Sequence, residues 1–181
     1  MAVWRWDKKE PILRFPLKDP LTAFRVVGSI AVGATDKGSI LVWDTMTGAL
    51  IGELDQAHYM AITDLDLNPE CDMVATGGRD GKVKVWALKA LIDKSNTPMA
   101  ELTFNAEVCK VVFSKTNSDR LFIASIDKTF KAFEISSKVV LRTIVAPAPI
   151  LLMTVDVGES NVYLACDNLN VYCYAMEWLE G

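Results

Sequence analysis

Residues 58–86 read His58-Tyr59-Met60-Ala61-Ile62, then Leu65, Leu67 and Pro69, then Ala75-Thr76-Gly77-Gly78-Arg79-Asp80-Gly81, then Val83-Lys84-Val85-Trp86. Ile62, Leu65 and Leu67 alternate with polar residues, the pattern of a half-buried strand. Residues 74–76 form a second short strand that stops at Gly77-Gly78. Arg79-Asp80-Gly81 is a turn in which glycine supplies backbone angles that other residues resist. Val83, Val85 and Trp86 belong to a third strand. Three short strands joined by tight turns predict an all-β unit.

The tryptophan position of this unit recurs along the chain. Val3-Trp4-Arg5-Trp6-Asp7, Ile40-Leu41-Val42-Trp43-Asp44 and Val83-Lys84-Val85-Trp86 are three instances, and Phe130-Lys131-Ala132-Phe133-Glu134 and Val171-Tyr172-Cys173-Tyr174 are weaker ones. The intervals are 37 (6 to 43), 43 (43 to 86), 47 (86 to 133) and 41 (133 to 174). Propeller blades repeat about every 40–45 residues. The unit resembles the WD repeat, so the fold class expected is all-β: a single WD-repeat β-propeller arc over residues 1–181. Three whole four-stranded blades are predicted at about 21–54, 61–104 and 107–145, with partial blades at 1–17 and 150–176. The arc is expected to be a fragment of a larger ring, which in this family ordinarily has seven blades. In WD repeats, the equivalents of His58, Thr76, Asp80 and Trp86 form a buried hydrogen-bond chain. Ala87-Leu88-Lys89-Ala90-Leu91-Ile92-Asp93-Lys94 breaks the repeat. Its residues favour helix, ended by Ser95-Asn96-Thr97-Pro98, and a short helix protruding from the ring is expected.

The 181 residues are 51% hydrophobic, enough to build a packed core, with a net charge of −4. No basic stripe interleaved with aromatics appears, so direct nucleic-acid binding is not indicated. Lys82, Lys84, Lys89, Lys128 and Lys131 read as solvated strand faces. The beginning of the chain does not read as a signal peptide. The longest apolar stretch, residues 144–155, is interrupted by Pro147 and Pro149 and is too short to span a bilayer. Cys71, Cys109, Cys166 and Cys173 lack CxxC spacing and read as buried thiols, although a Cys166–Cys173 disulfide across adjacent strands is geometrically conceivable.

No reactive constellation emerges, and the chain is expected not to be an enzyme. A Ser-His-Asp triad would have to use His58, the only histidine, which the repeat already accounts for. One histidine and dispersed cysteines do not readily make a zinc site, and no metal, cofactor or small-molecule substrate is implied. The Gly77–Gly81 turn lacks the Gly-Lys-Ser/Thr ending of a phosphate-binding loop. Asp64 and Asp66 share one strand face. Acid–base chemistry would need that face in a cleft, and an ordinary solvated face is the better reading.

Beyond the generic repeat, residues 57–63, Gly77-Gly78-Arg79-Asp80-Gly81, Val85-Trp86-Ala87-Leu88, Leu91-Ile92-Asp93, Val3-Trp4-Arg5-Trp6 and residues 126–131 resemble one WD-repeat family. This is the WD-repeat subunit of the nuclear pre-ribosomal RNA processing complex that matures the large ribosomal subunit. Ala57 replaces the usual glycine, and Phe104-Asn105 lie where the third whole blade would carry its histidine. The resemblance implies self-association through a C-terminal helical segment, which this arc is expected to lack. The resemblance implies a nuclear scaffold, in nucleolus or nucleoplasm. It would bind other subunits of a multiprotein complex and pre-60S particles, and would contact no membrane. The alternative is an adaptor of another assembly, such as a ubiquitin-ligase receptor or a membrane-coat subunit. The contact residues implied are Tyr59, Met60, Arg79 and Ile126 on one face, with Leu91 and Ile92 on the inserted helix.

Overall fold

A computed structural model of the chain describes residues 2–3, 9–10, 13–15 and 17–177. Trp4, Arg5, Trp6 and Asp7, the first instance of the tryptophan position, lie outside these residues. A two-stranded ladder pairs β1 (Ala2–Val3) with β2 (Leu13–Arg14). Sheet 1 follows, with β3 (Leu21–Val27), β4 (Ile30–Thr35), β5 (Ile40–Asp44) and β6 (Leu50–Leu54). Sheet 2 is β7 (Ile62–Leu67), β8 (Met73–Gly78), β9 (Lys82–Ala87) and, after helix α1 (Leu88–Ile92), β10 (Ala100–Thr103). Sheet 3 is β11 (Val108–Phe113), β12 (Arg120–Ser125), β13 (Thr129–Glu134) and β14 (Val139–Val145). Sheet 4 has three strands: β15 (Ile150–Val155), β16 (Asn161–Cys166) and β17 (Val171–Ala175). Each sheet is an antiparallel meander, and together they form the propeller arc.

The repeat is kept to the residue. Each first strand has a register shift after its first residue, between Leu21 and Ala23, Ile62 and Asp64, Val108 and Lys110, and Ile150 and Leu152. Such a bulge re-aims the strand. Beside it, the amide of the residue after the second strand binds back to the loop before the first strand: Asp36 N–H to Pro20 O, Arg79 to Ala61 O, Ile126 to Glu107 O and Asp167 to Pro149 O. The turns between second and third strands therefore sit at one end of the sheets, with loops 55–61, 104–107 and 146–149. The other hairpin turns and α1 sit at the opposite end.

Successive sheets stack face to face, and the core is divided among these seams. Val32, Ala34, Ile40, Val42 and Leu54 of sheet 1 meet Ile62, Leu65, Leu67, Val74 and Trp86 of sheet 2. Ala75, Val83, Val85 and Phe104 meet Val111, Phe113, Leu121, Ile123 and Phe133 of sheet 3. Phe122, Ala124, Phe130 and Ala132 meet Ile150, Met153, Val162 and Leu164 of sheet 4. The outer face of sheet 1 packs Phe24, Ala31, Leu41 and Trp43 against Phe15.

The helix does not protrude as the sequence suggested. Leu88 and Leu91 are buried in the seam between sheets 1 and 2, and Ile92 packs against it. Its five residues fill the flank of sheet 1 because Gly52 on β6 has no side chain: a Cβ there would come within 2.9 Å of Leu91 O. The helix is a wedge locking two blades together. Leu91→Ala should therefore cost about 2–5 kcal/mol, the usual range for a buried leucine. Gly52→Ala should also destabilise by displacing the helix, and the half-buried Ile92→Ala should cost less than Leu91→Ala. Urea denaturation of the three variants measures this; an unchanged midpoint for Leu91→Ala would contradict the wedge.

Candidate functional site

The polar chain implied by the repeat is assembled in sheet 2. His58 lies in the loop before β7, Thr76 on β8, Asp80 in the following turn and Trp86 on β9. His58 Nδ1 lies 3.0 Å from Asp80 Oδ1, His58 Nε2 lies 2.9 Å from Thr76 Oγ1, and the Trp86 indole donates to Thr76 Oγ1 at 3.1 Å. A carboxylate only accepts, so His58 Nδ1 donates to Asp80. Asp80 also accepts the amides of Tyr59 at 3.2 Å and Lys82 at 3.0 Å. Gly78 makes room for the junction, since a Cβ there would lie 2.6 Å from both His58 Nδ1 and Asp80 Oδ1. Gly81 closes the turn at φ +72°.

Burial pushes the Asp80 carboxyl up, but the hydrogen bond and charge of His58, with the Lys82 and Tyr59 amides, outweigh it and hold the pKa below the ordinary carboxylate value. The matching turn of sheet 3 keeps only part of this. Asp127 accepts the Asn105 amide and both groups of Thr129, and although burial pushes it up, these bonds hold it low as well.

The chain supports an exposed step. Tyr59 is 85% exposed and Met60 52%. The Arg79 side chain is largely exposed and pairs with Glu107 at 3.6 Å. Ile126, at the position equivalent to Arg79, is half-buried. Arg79, Glu107, Thr22, Thr63, Cys109 and Leu151 line a depression of about 310 Å³ where the bulged strand starts converge. Four of the proposed contact residues, Tyr59, Met60, Arg79 and Ile126, thus share one end of the arc. Leu91 and Ile92 do not join them. They lie at the opposite end, and Leu91 is buried and unavailable to a partner. Ile92 instead lines a shallow apolar groove of about 450 Å³ with Met73, Leu88 and Met99.

Two strand-face readings are corrected. Asp64 and Asp66 do not form an open solvated face. Asp64 Oδ2 accepts the Val111 amide at 3.1 Å, and Asp66 Oδ2 accepts the Phe113 amide at 2.9 Å. The two-residue spacing of the carboxylates matches that of the amides on the free edge of β11, so they cap that edge. Lys110 lies 3.0 Å from Asp64, and Arg25 reaches Asp64 at 3.5 Å and Asp66 at 3.4 Å. Three blades are joined through this cluster. Lys84 is likewise buried: its ammonium donates to Ala57 O at 2.6 Å. The sequence also gave no sign of Glu159, a buried carboxylate that accepts Ser114 at 2.6 Å and Thr116 at 2.8 Å across the seam between sheets 3 and 4. A contact 45 residues away leaves no local pattern. All four cysteines are free, and of the expected buried thiols Cys166 is buried, Cys71 and Cys109 are half-buried and Cys173 is exposed.

Among the described residues no group of three or more His, Cys, Asp or Glu side chains is placed to hold a metal ion. No helix among them is long and apolar enough to cross a membrane.

Fold, repeat register and polar chain define a WD-repeat propeller arc. Residues 48–87 match the model of the WD domain, G-beta repeat. That window starts with the outermost strand of sheet 1 and runs through the first three strands of sheet 2, so the sequence repeat straddles two blades. The chain is similar to protein ROOT INITIATION DEFECTIVE 3 of Arabidopsis thaliana, at 25% identity over 96% of this chain and 42% of the relative. It is also similar to the pre-rRNA-processing protein crb3/ipi3 of Schizosaccharomyces pombe, at 30% identity over 76% of this chain and 33% of the relative. The chain therefore spans well under half the length of these curated relatives. Among solved structures, the computationally designed Ika8 protein superposes with a TM-score of 0.80 at 21% identity, over 97% of this chain and 52% of that one.

Asp80→Ala should destabilise the protein by about 1–3 kcal/mol, because buried donors lose their acceptor. Lys37→Ala, at the equivalent turn position of sheet 1, should change stability by less than about 0.5 kcal/mol. A depressed carboxyl pKa contributes stability that is present above its unfolded value and lost as pH falls through the folded one. The gap between wild type and Asp80→Ala should therefore narrow below about pH 4. Denaturant titrations at neutral and acid pH measure both effects; equal losses for Asp80→Ala and Lys37→Ala would contradict the assignment.

Proposed function

We propose that this arc is a protein-docking scaffold acting in pre-rRNA processing and large-ribosomal-subunit maturation, and that it catalyses no reaction. The observation that carries the docking role is the Tyr59-Met60 step. Two large apolar side chains stand in solvent on a loop whose backbone is pinned by Asp80, at the end of the arc where Arg79 and Glu107 flank a depression. Apolar residues held out on a rigid base lose little freedom on binding, which favours a docking contact. The ribosomal assignment is supported by the pre-rRNA-processing relative named above. With it come a nuclear location and partners among the subunits of a processing complex and pre-60S particles. Function rests on area and shape, and the polar groups at the site are committed to holding the fold.

The test is co-sedimentation of the epitope-tagged protein with precursors of the large ribosomal subunit, together with precursor RNA levels after its depletion. Tyr59→Ala combined with Arg79→Glu should reduce co-sedimentation several-fold while leaving the denaturation midpoint unchanged. Normal precursor processing after depletion would remove the ribosomal role and leave an adaptor of another assembly.

A further inference from the structure

Sheets 1, 2 and 3 each have a fourth, outermost strand, and the chain treats the three outer edges differently. The edge of β6 is flanked by α1, and its Glu53 pairs with Lys18 at 2.8 Å. β10 is only four residues long, and its Glu101 pairs with Lys82 at 2.5 Å. β14 has seven residues, and among the described residues its one strand neighbour is β13. Along its other side, alternate N–H and C=O groups therefore point outward without a ladder partner. Five of its side chains are exposed, Val139, Leu141, Arg142, Thr143 and Val145, the last by 68%. Residues 135–155 contain Lys138 and Arg142 but no Asp or Glu, in a chain of net charge −4. Neither cation pairs with a carboxylate among the described residues. Sheets 2 and 4 cover the two faces of sheet 3; the open side of β14 lies in the plane of the sheet and points away from both.

We propose that the outer edge of β14 docks an extended segment of a partner protein, one that carries carboxylates at alternate positions and adds to sheet 3 as a further strand. Main-chain hydrogen bonds supply the affinity of such an addition, and side chains supply the choice of partner. Charge decides against a second copy of this chain. One β14 laid against another sets cations against cations with no acid to offset them, and like charges across a strand pair destabilise it. Charge decides for an acidic strand, because Lys138 and Arg142 are both unpaired. The inner edge of the same sheet shows what satisfies it: the carboxylates of Asp64 and Asp66, two residues apart, accept the amides of Val111 and Phe113 on β11. The outer edge has no such cap from the chain itself. This surface lies on the rim, apart from Tyr59 and Met60, and does not rest on the ribosomal reading.

The experiment titrates the whole chain with a capped hexapeptide of alternating glutamate and valine, read by fluorescence anisotropy and by residue-resolved amide hydrogen exchange. The peptide should bind and slow exchange along β14. The matching lysine–valine peptide should bind severalfold more weakly. N-methylating every second residue of the glutamate peptide should abolish binding in one phase and spare it in the other, because only alternate amides face the edge. Lys138→Glu combined with Arg142→Glu should reverse the preference between the two peptides. The denaturation midpoint should stay unchanged, since both side chains are exposed. No binding by the wild type, or equal binding of both peptides, would overturn the proposal and leave the two cations as guards that keep the edge unpaired. Slowed exchange in β10 or β17 instead of β14 would overturn the choice of edge. Indifference to methylation in both phases would overturn strand addition.

Discussion

Everything in this structure depends on sheets having to cover one another. A four-stranded meander with apolar side chains on both faces cannot bury either face alone; each must be closed by a neighbour, at roughly 25 cal/mol per Å² of apolar surface removed from water. The seams are tight enough to dictate residue size. At Gly77 a Cβ would come within 2.5 Å of Val108, so the first strand of sheet 3 lies directly on the backbone of sheet 2. The helix α1 serves the same end, filling the flank where β6 leaves a gap. The carboxylates of Asp64 and Asp66 serve it too, by satisfying the amides that the free edge of β11 presents. Rigidity of the end of the arc that carries Tyr59 and Met60 is a by-product of this stacking.

The polar chain shows how the same blade tolerates different chemistry when partners change together. In sheet 2 all four members are present and each buried polar group is met. In sheet 3, Phe104 stands at the position of His58, Ile123 at that of Thr76 and Phe133 at that of Trp86, and all three are buried in an apolar seam. Lys131 then lies 4.2 Å above the Phe104 ring, where Lys84 in sheet 2 binds a carbonyl. Replacing both partners of a buried bond costs little, whereas removing one leaves the other unmet. Sheet 1 illustrates the second case. Gly33 takes the place of Thr76, and the buried Trp43 indole N–H has no partner. Sheet 2 thus leaves no buried side-chain polar atom unmet, and the exposed Tyr59-Met60 step rises from it.

The sequence by itself determined what is local or repeated. Turn glycines, β-branched runs and the recurring aromatic position placed the strands near their observed ends, because hairpins are specified by a few adjacent residues. The repeat register brought His58, Thr76, Asp80 and Trp86 together, since each sits at a fixed offset within one blade. Tertiary structure alone decided what lies over each face. Two-residue spacing showed that Asp64 and Asp66 share a side of β7, but not that the edge of β11 and the side chains of Arg25 and Lys110 close over it. Helix propensity pointed to a helix within residues 87–94, where α1 occupies Leu88–Ile92, but not to the missing side chain at Gly52 that draws Leu91 inward. Those contacts join residues about 40 positions apart, and a pattern that repeats within one blade carries no record of what the neighbouring blade puts against it.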